Sequence, residues 1–64
     1  MTLLTQREAA LALRLSERTI ERMRTSGTGP KFVHLNRRSI RYRPQDLEAW
    51  IASRVRASTS EVVR

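Results

Sequence analysis

At 64 residues, with no cysteine and one histidine, the chain is expected to form a single domain near the lower limit of independent folding, with neither a disulfide framework nor a zinc centre. A core this small suits a binding surface better than an enclosed active site, and a formal charge of +7 with a pI near 11.7 predicts attraction to polyanions. No apolar run is long enough to span a bilayer and "MTLLTQRE" has no basic-then-apolar signal pattern, so a cytoplasmic, membrane-free protein is expected.

In chain order, "TQRE" at Thr5 to Glu8 fits a capping box, with Leu4 and Ala9 as the flanking hydrophobic staple, and predicts a first helix over about Gln6 to Leu13. Ser16 repeats the device as an N-cap, with Glu17 in the first turn, where the helix dipole favours an acid, and Leu15 and Ile20 as a second staple. Only Arg14 and Leu15 lie between, so the two helices must meet at a tight corner. On the second helix Ile20 and Met23 fall on one side, while Arg18, Glu21, Arg22 and Thr25 fall on the other. "SGTGP" then ends it. "KFVHL" and "SIRYR" alternate as strands, with "NRR" as the turn between them, Arg37 and Arg38 at its tip, and Asn36 suited to a left-handed conformation. From Pro44 a helical period returns, with Leu47, Trp50 and Ile51 on one stripe, predicting a third helix to roughly Val55. The domain is expected to occupy 1–56, with 57–64 a disordered tail.

The charge is concentrated. Between Arg14 and Arg43 nine basic residues face only Glu17 and Glu21, an excess of +7, and the flanks cancel. Twelve of the thirteen basic residues are arginine, whose planar fork suits bidentate contact with phosphate or a guanine edge. No nucleophile and base stand together, and Glu17 and Glu21 form a like-charge pair without a pocket, so no catalysis, cofactor or metal is expected. Trp50 lies on the apolar stripe and is expected in the core, Tyr42 and Phe32 at the joint between hairpin and helices. His34 alternates with Val33 and Leu35 and is expected to point away from them.

Helix, tight turn, helix, basic-tipped hairpin, helix is the order of a small, mainly α winged helix-turn-helix with a two-stranded wing. "LLTQREAALALRLSERTIERMR" followed by "GTGPKFVHLNRRSIRYRPQDLEAWI" resembles the MerR-like winged helix-turn-helix family that includes phage excisionases and AlpA-type regulators. The matching features are Leu4-Thr5, Ser16 with Thr19-Ile20, Gly29-Pro30, and "IRYR" leading into "DLEAW". Where that family usually has glycines, after helix 1 and in the wing, this chain carries Arg14 and Asn36 to Ser39.

The resemblance implies binding of double-stranded DNA by a recognition helix that enters the major groove N-terminus first. Ser16, Glu17, Arg18, Thr19 and Arg22 are then best placed to reach base edges and flanking phosphates. Glu17 either accepts from a cytosine amino group or caps the helix and repels wrong phosphate registers, the second being favoured. Arg37 and Arg38 suit the adjacent minor groove, with Lys31, His34 and Arg41 along the sides of the wing. RNA reading would call for exposed aromatics, and a membrane-surface peptide for one long apolar face; neither pattern is present. The short stretch after the third helix favours an architectural role over a regulator with an appended effector domain. The expected function is therefore a phage- or mobile-element-encoded excisionase, a free monomer that loads cooperatively on attachment-site DNA, bends it and directs a tyrosine or serine integrase toward excision. A small AlpA-like transcriptional regulator is the alternative.

Overall fold

The structure, a computed structural model, describes residues 2–57. The elements follow in the order α1 (Gln6–Leu13), α2 (Glu17–Ser26), β1 (Val33–Asn36), β2 (Ser39–Arg41) and α3 (Pro44–Ala52), a winged helix-turn-helix. The tail expected to be disordered, 57–64, lies outside the described residues except for Ala57.

Both first helices begin where their capping residues dictate. The Thr5 hydroxyl accepts from the Glu8 amide at 3.1 Å while the Glu8 carboxylate accepts from the Thr5 amide at 2.9 Å, closing the reciprocal box. α1 ends on Arg14 in the left-handed conformation, φ 59° and ψ 41°. The Arg14 amide then donates to the Leu11 carbonyl at 3.1 Å and the Leu15 amide to the Ala10 carbonyl at 2.9 Å, which satisfies carbonyls that a helix end leaves open. Ser16 immediately starts α2, its hydroxyl accepting from the Thr19 amide at 3.1 Å. Leu15 thus closes one helix and precedes the cap of the next, and this double use makes the corner tight. Gly27, at φ 77°, ends α2 with the same left-handed device, the Thr28 amide reaching the Met23 carbonyl at 3.0 Å. At Gly29 a Cβ would come within 2.9 Å of the Met23 Cβ, so the chain leaving α2 passes too close for any side chain.

The core consists of Ala9, Ala10, Ile20, Tyr42 and Leu47, with Leu4, Leu13, Met23 and Ile40 packed against it. Alanines at the α1 positions let the two helices approach closely. Tyr42 and Ile20, both fully buried, are its largest enclosed side chains. The backbone of Tyr42 also exchanges hydrogen bonds with Leu4, at 2.7 and 2.8 Å, so the residue before the Thr5 cap is laced to the end of the wing.

The wing pairs antiparallel, Val33 with Arg41 and His34 with Ile40, but the next pair is Asn36 with Ser39. One extra residue, Leu35, is therefore accommodated in β1 as a bulge. This departs from the simple alternation of the sequence in three ways. Asn36 is not left-handed, since Arg14 is the only non-glycine with positive φ among the described residues; its side-chain oxygen instead accepts from the Arg38 amide at 3.1 Å and shapes the turn that way. Leu35 is 53% exposed instead of facing the core with Val33. Because cross-strand partners share a face, His34 lies on the Ile40 side of the ribbon and Arg41 on the Val33 side.

α3 begins with Pro44 at its first position and is braced by Arg43, which grips Asp46 through two bonds of 2.6 and 2.9 Å. It stops at Ala52, short of Val55. Arg54 and Val55 bond back only three residues, to the Ile51 and Ala52 carbonyls, so the chain leaves the helix in a tighter turn, and the Arg54 guanidinium donates to the Thr28 carbonyl at 2.9 Å. Ile51, expected on the buried stripe, is 45% exposed. Trp50 is half-buried at the edge of the core rather than within it: its indole N–H donates to the Thr28 carbonyl at 3.1 Å, and Arg54 lies over its ring at 4.8 Å.

Candidate nucleic-acid interface

Burying Ile20 on one side of α2 necessarily turns Arg18 and Arg22 outward, and both are exposed, four residues apart on one face. Neither is neutralised. Among the described residues the only ion pair is Arg43 with Asp46, so Glu17 and Glu21 stand beside the arginines without holding them. Ser16 and Thr19 are joined to each other, the Ser16 hydroxyl donating to the Thr19 hydroxyl at 2.8 Å while accepting from its amide. The Ser16 hydroxyl is therefore committed to the cap, whereas the Thr19 hydroxyl keeps its own proton to donate.

The other basic residues divide into structural and free. Arg24 follows Ile20 by four residues and lies on the inward stripe. It is half-buried, donates to the Gln6 side chain at 3.2 Å and sits 5.9 Å from the Phe32 ring centre. Phe32 in turn meets Tyr42 with ring centres 6.3 Å apart and remains 40% exposed, forming the expected joint only along one edge. The Tyr42 hydroxyl and the Arg24 Nε are buried and have no hydrogen-bond partner among the described residues. Burial pushes the Tyr42 phenol above its ordinary range, and the neighbouring Arg24 charge pulls it part of the way back. Arg43 and Asp46 form the brace of α3; the hydrogen bond from Arg43 holds the Asp46 carboxyl below the usual carboxylate range.

The wing residues do not form one cluster. Arg37 and Arg38 occupy the turn, exposed, with His34 Nε2 3.5 Å from the Arg37 carbonyl. Arg41 is half-buried on the opposite face, its guanidinium donating to the Ile40 carbonyl at 2.9 Å. Lys31 is not part of the hairpin. It precedes β1 and lines a shallow cavity of about 270 Å³ with Gly29, Pro30, Asp46, Ala49 and Trp50, where its charge also favours the Asp46 carboxylate. Lys31, His34 and Arg41 therefore do not line the sides of one wing together, because the bulge and the start of β1 separate them.

Two structural links escaped sequence reasoning. The Gln6–Arg24–Phe32–Tyr42 chain has a visible signal, since Ile20, Met23 and Arg24 share helical spacing. The Leu4–Tyr42 bridge has none beyond an apolar pair before a cap. Among the described residues no group of three or more His, Cys, Asp or Glu side chains gathers to hold a metal ion, and no helix is long and apolar enough to cross a membrane. A family model described as a helix-turn-helix domain matches residues 3–55, from just before the capping box to just past α3. A search of curated proteins finds no match.

Proposed function

The chain belongs to the helix-turn-helix domain family, a family of DNA-binding domains, and on that premise we propose that α2 reads the major groove of duplex DNA while the wing follows the adjacent minor groove. The observation that carries this reading is the α2 face on which Arg18 and Arg22 stand exposed and, among the described residues, free of carboxylate partners, directly behind a fully buried Ile20. In this arrangement the buried side fixes the aim of the charged side. Arg18 and Arg22 reach base edges, Thr19 and the capped N-terminus meet flanking phosphate, and Glu17 repels wrong phosphate registers. Arg37 and Arg38 lie in the minor groove; His34 and Arg41, on opposite faces of the ribbon, meet the two phosphate walls.

We further assign the chain to the MerR-like winged group, with an excisionase role. One recognition helix and one wing cover about one half-site, which alone gives modest specificity. Occupancy then comes from several protomers on neighbouring sites, each a monomer when free, coupled by contact or by DNA the first copy has bent, so that an integrase assembles for excision. The domain acts without catalysis of its own.

Binding to a duplex recovered by selection from a random library tests the first part. With about five to seven phosphates neutralised, log K should fall with log salt at a slope of about −5 to −6. A slope shallower than about −2, or equal affinity for single-stranded RNA, removes the claim. An integrase assay tests the second: the protein should stimulate excision and not integration. If DNA stays straight and excision proceeds equally without it, the transcriptional-regulator reading takes its place.

A further inference from the structure

The bulge in β1 leaves one large apolar side chain where the hairpin has no core to serve. Leu35 is 53% exposed, takes no part in the core cluster, and stands beside the two turn arginines. Resting on the DNA-binding reading above, we propose that Leu35 is an apolar wedge that enters the minor groove with Arg37 and Arg38 and opens a base step, and that it is the source of the bend.

Three observations favour duplex DNA as the occupant over a protein or a lipid surface. The first is charge. Arg37 and Arg38 are exposed and have no carboxylate partner among the described residues, so the surroundings of Leu35 attract a polyanion, and a narrow minor groove concentrates negative potential on such side chains. The second is shape. An extra residue bends the strand and increases its twist, re-aiming a side chain out of the ribbon, and bulges serve this purpose at functional edges. The third is rigidity. The Arg38 amide is tied to the Asn36 side chain at 3.1 Å, so the turn is shaped by its own bond and presents Leu35 without a flexible loop around it. The other exposed apolar side chains have no such setting: Leu11 is on α1, Ile51 and Val55 are on and beyond α3, and Phe32 is already engaged with Tyr42 and Arg24. Apolar wedges between base steps partly unstack them and kink the duplex, and the bent DNA then meets more protein surface.

The experiment uses the selected duplex with a fluorophore at each end for energy transfer, and a series of the same duplex with 2-aminopurine placed at successive steps of the minor-groove segment. The full chain should raise transfer and brighten 2-aminopurine at one step. Leu35→Ala should keep the wild-type melting temperature and still bind the duplex, more weakly, yet lose both signals even at saturating protein. Leu35→Met, which keeps an apolar side chain of similar volume, should restore them. If Leu35→Ala bends and brightens as wild type does, or if wild type binds the duplex without either signal, the wedge is overturned while the DNA-binding reading stands. If no duplex is selected at all, that reading fails and the wedge with it. If Leu35→Ala converts a sedimenting dimer to monomer, Leu35 covers a second copy instead, and the proposal is overturned.

Discussion

From Thr5 to Gly27 each helix end is closed by a capping side chain or a left-handed residue, and the two helices bury Ala9, Ala10 and Ile20 between them. From Val33 to Arg41 no side chain is fully buried, the register slips once, and the turn is shaped by one asparagine. The first region fixes a direction; the second presents charge from a thin ribbon. A binding surface gains from the difference, because base reading needs a side chain held to within a hydrogen bond's tolerance by a buried face, whereas phosphate contacts along a groove can be made from a short ribbon that buries none of its own side chains.

The largest effect should separate the two regions outright. Ile20→Ala removes the fully buried centre of α2 and should cost about 2 to 5 kcal/mol, enough to unfold much of a domain this small, whereas Leu35→Ala should stay within about 0.5 kcal/mol. Chemical denaturation of both variants checks this, and equal losses would mean that the wing carries as much of the stability as α2. Next in size is the split between reading and anchoring. Arg22→Ala or Arg18→Ala should lower the preference for the selected site over scrambled duplex by about 1 to 3 kcal/mol, while Arg37→Ala with Arg38→Ala should weaken both more evenly. Footprinting titrations on the two duplexes decide it, and specificity set by the wing pair alone would reverse the roles.

A smaller effect is expected at the corner between α1 and α2. Arg14 holds a left-handed conformation at φ 59°, where a side chain costs about 1 kcal/mol relative to glycine. Arg14→Gly should therefore raise the melting temperature by several degrees, and Arg14→Ala should not. The smallest effect is acid-dependent. The Asp46 carboxyl is held low in the folded chain by Arg43, so its contribution is fully present above the ordinary carboxylate pKa of about 4 and is lost as the pH falls through the lowered folded value. The acid limb of the stability curve should flatten in Asp46→Asn, measured by denaturant midpoints between roughly pH 2 and 6.

Where the chain's choices are local, the sequence revealed them. Thr5 with Glu8 and Ser16 with Thr19 each start a helix through groups three residues apart, Pro44 starts one through the fixed φ of its own ring, and all three starts fall as expected. The exposed pair Arg18 and Arg22 followed from the same periodicity. What was hidden depends on partners distant in the chain. Arg54, just past the end of α3, reaches a carbonyl at Thr28, the burial of Tyr42 depends on Leu4, and the bulge at Leu35 is a property of two strands together. Alternation in "KFVHL" is the same with or without the bulge, so no pattern within β1 could place His34 on the Ile40 side. Lys31 was misplaced for a related reason: β1 begins only at Val33, and Lys31 lines a cavity with residues of α3, which lie distant in the chain.

The Leu4–Tyr42 bridge also has a kinetic meaning. It joins Leu4, ahead of the Thr5 cap, to Tyr42, just after β2, so the two ends of most of the ordered chain must meet before its two hydrogen bonds can form. Loop closure of that length is costly until contacts on both sides repay it, while the α1–α2 corner closes over a few residues. The corner should therefore be structured in the folding transition state, and the bridge should form on its downhill side. Leu4→Ala, which keeps both backbone bonds but strips the side chain that packs against the core beside them, would then act mainly on the unfolding rate, making this short seam a brake on opening.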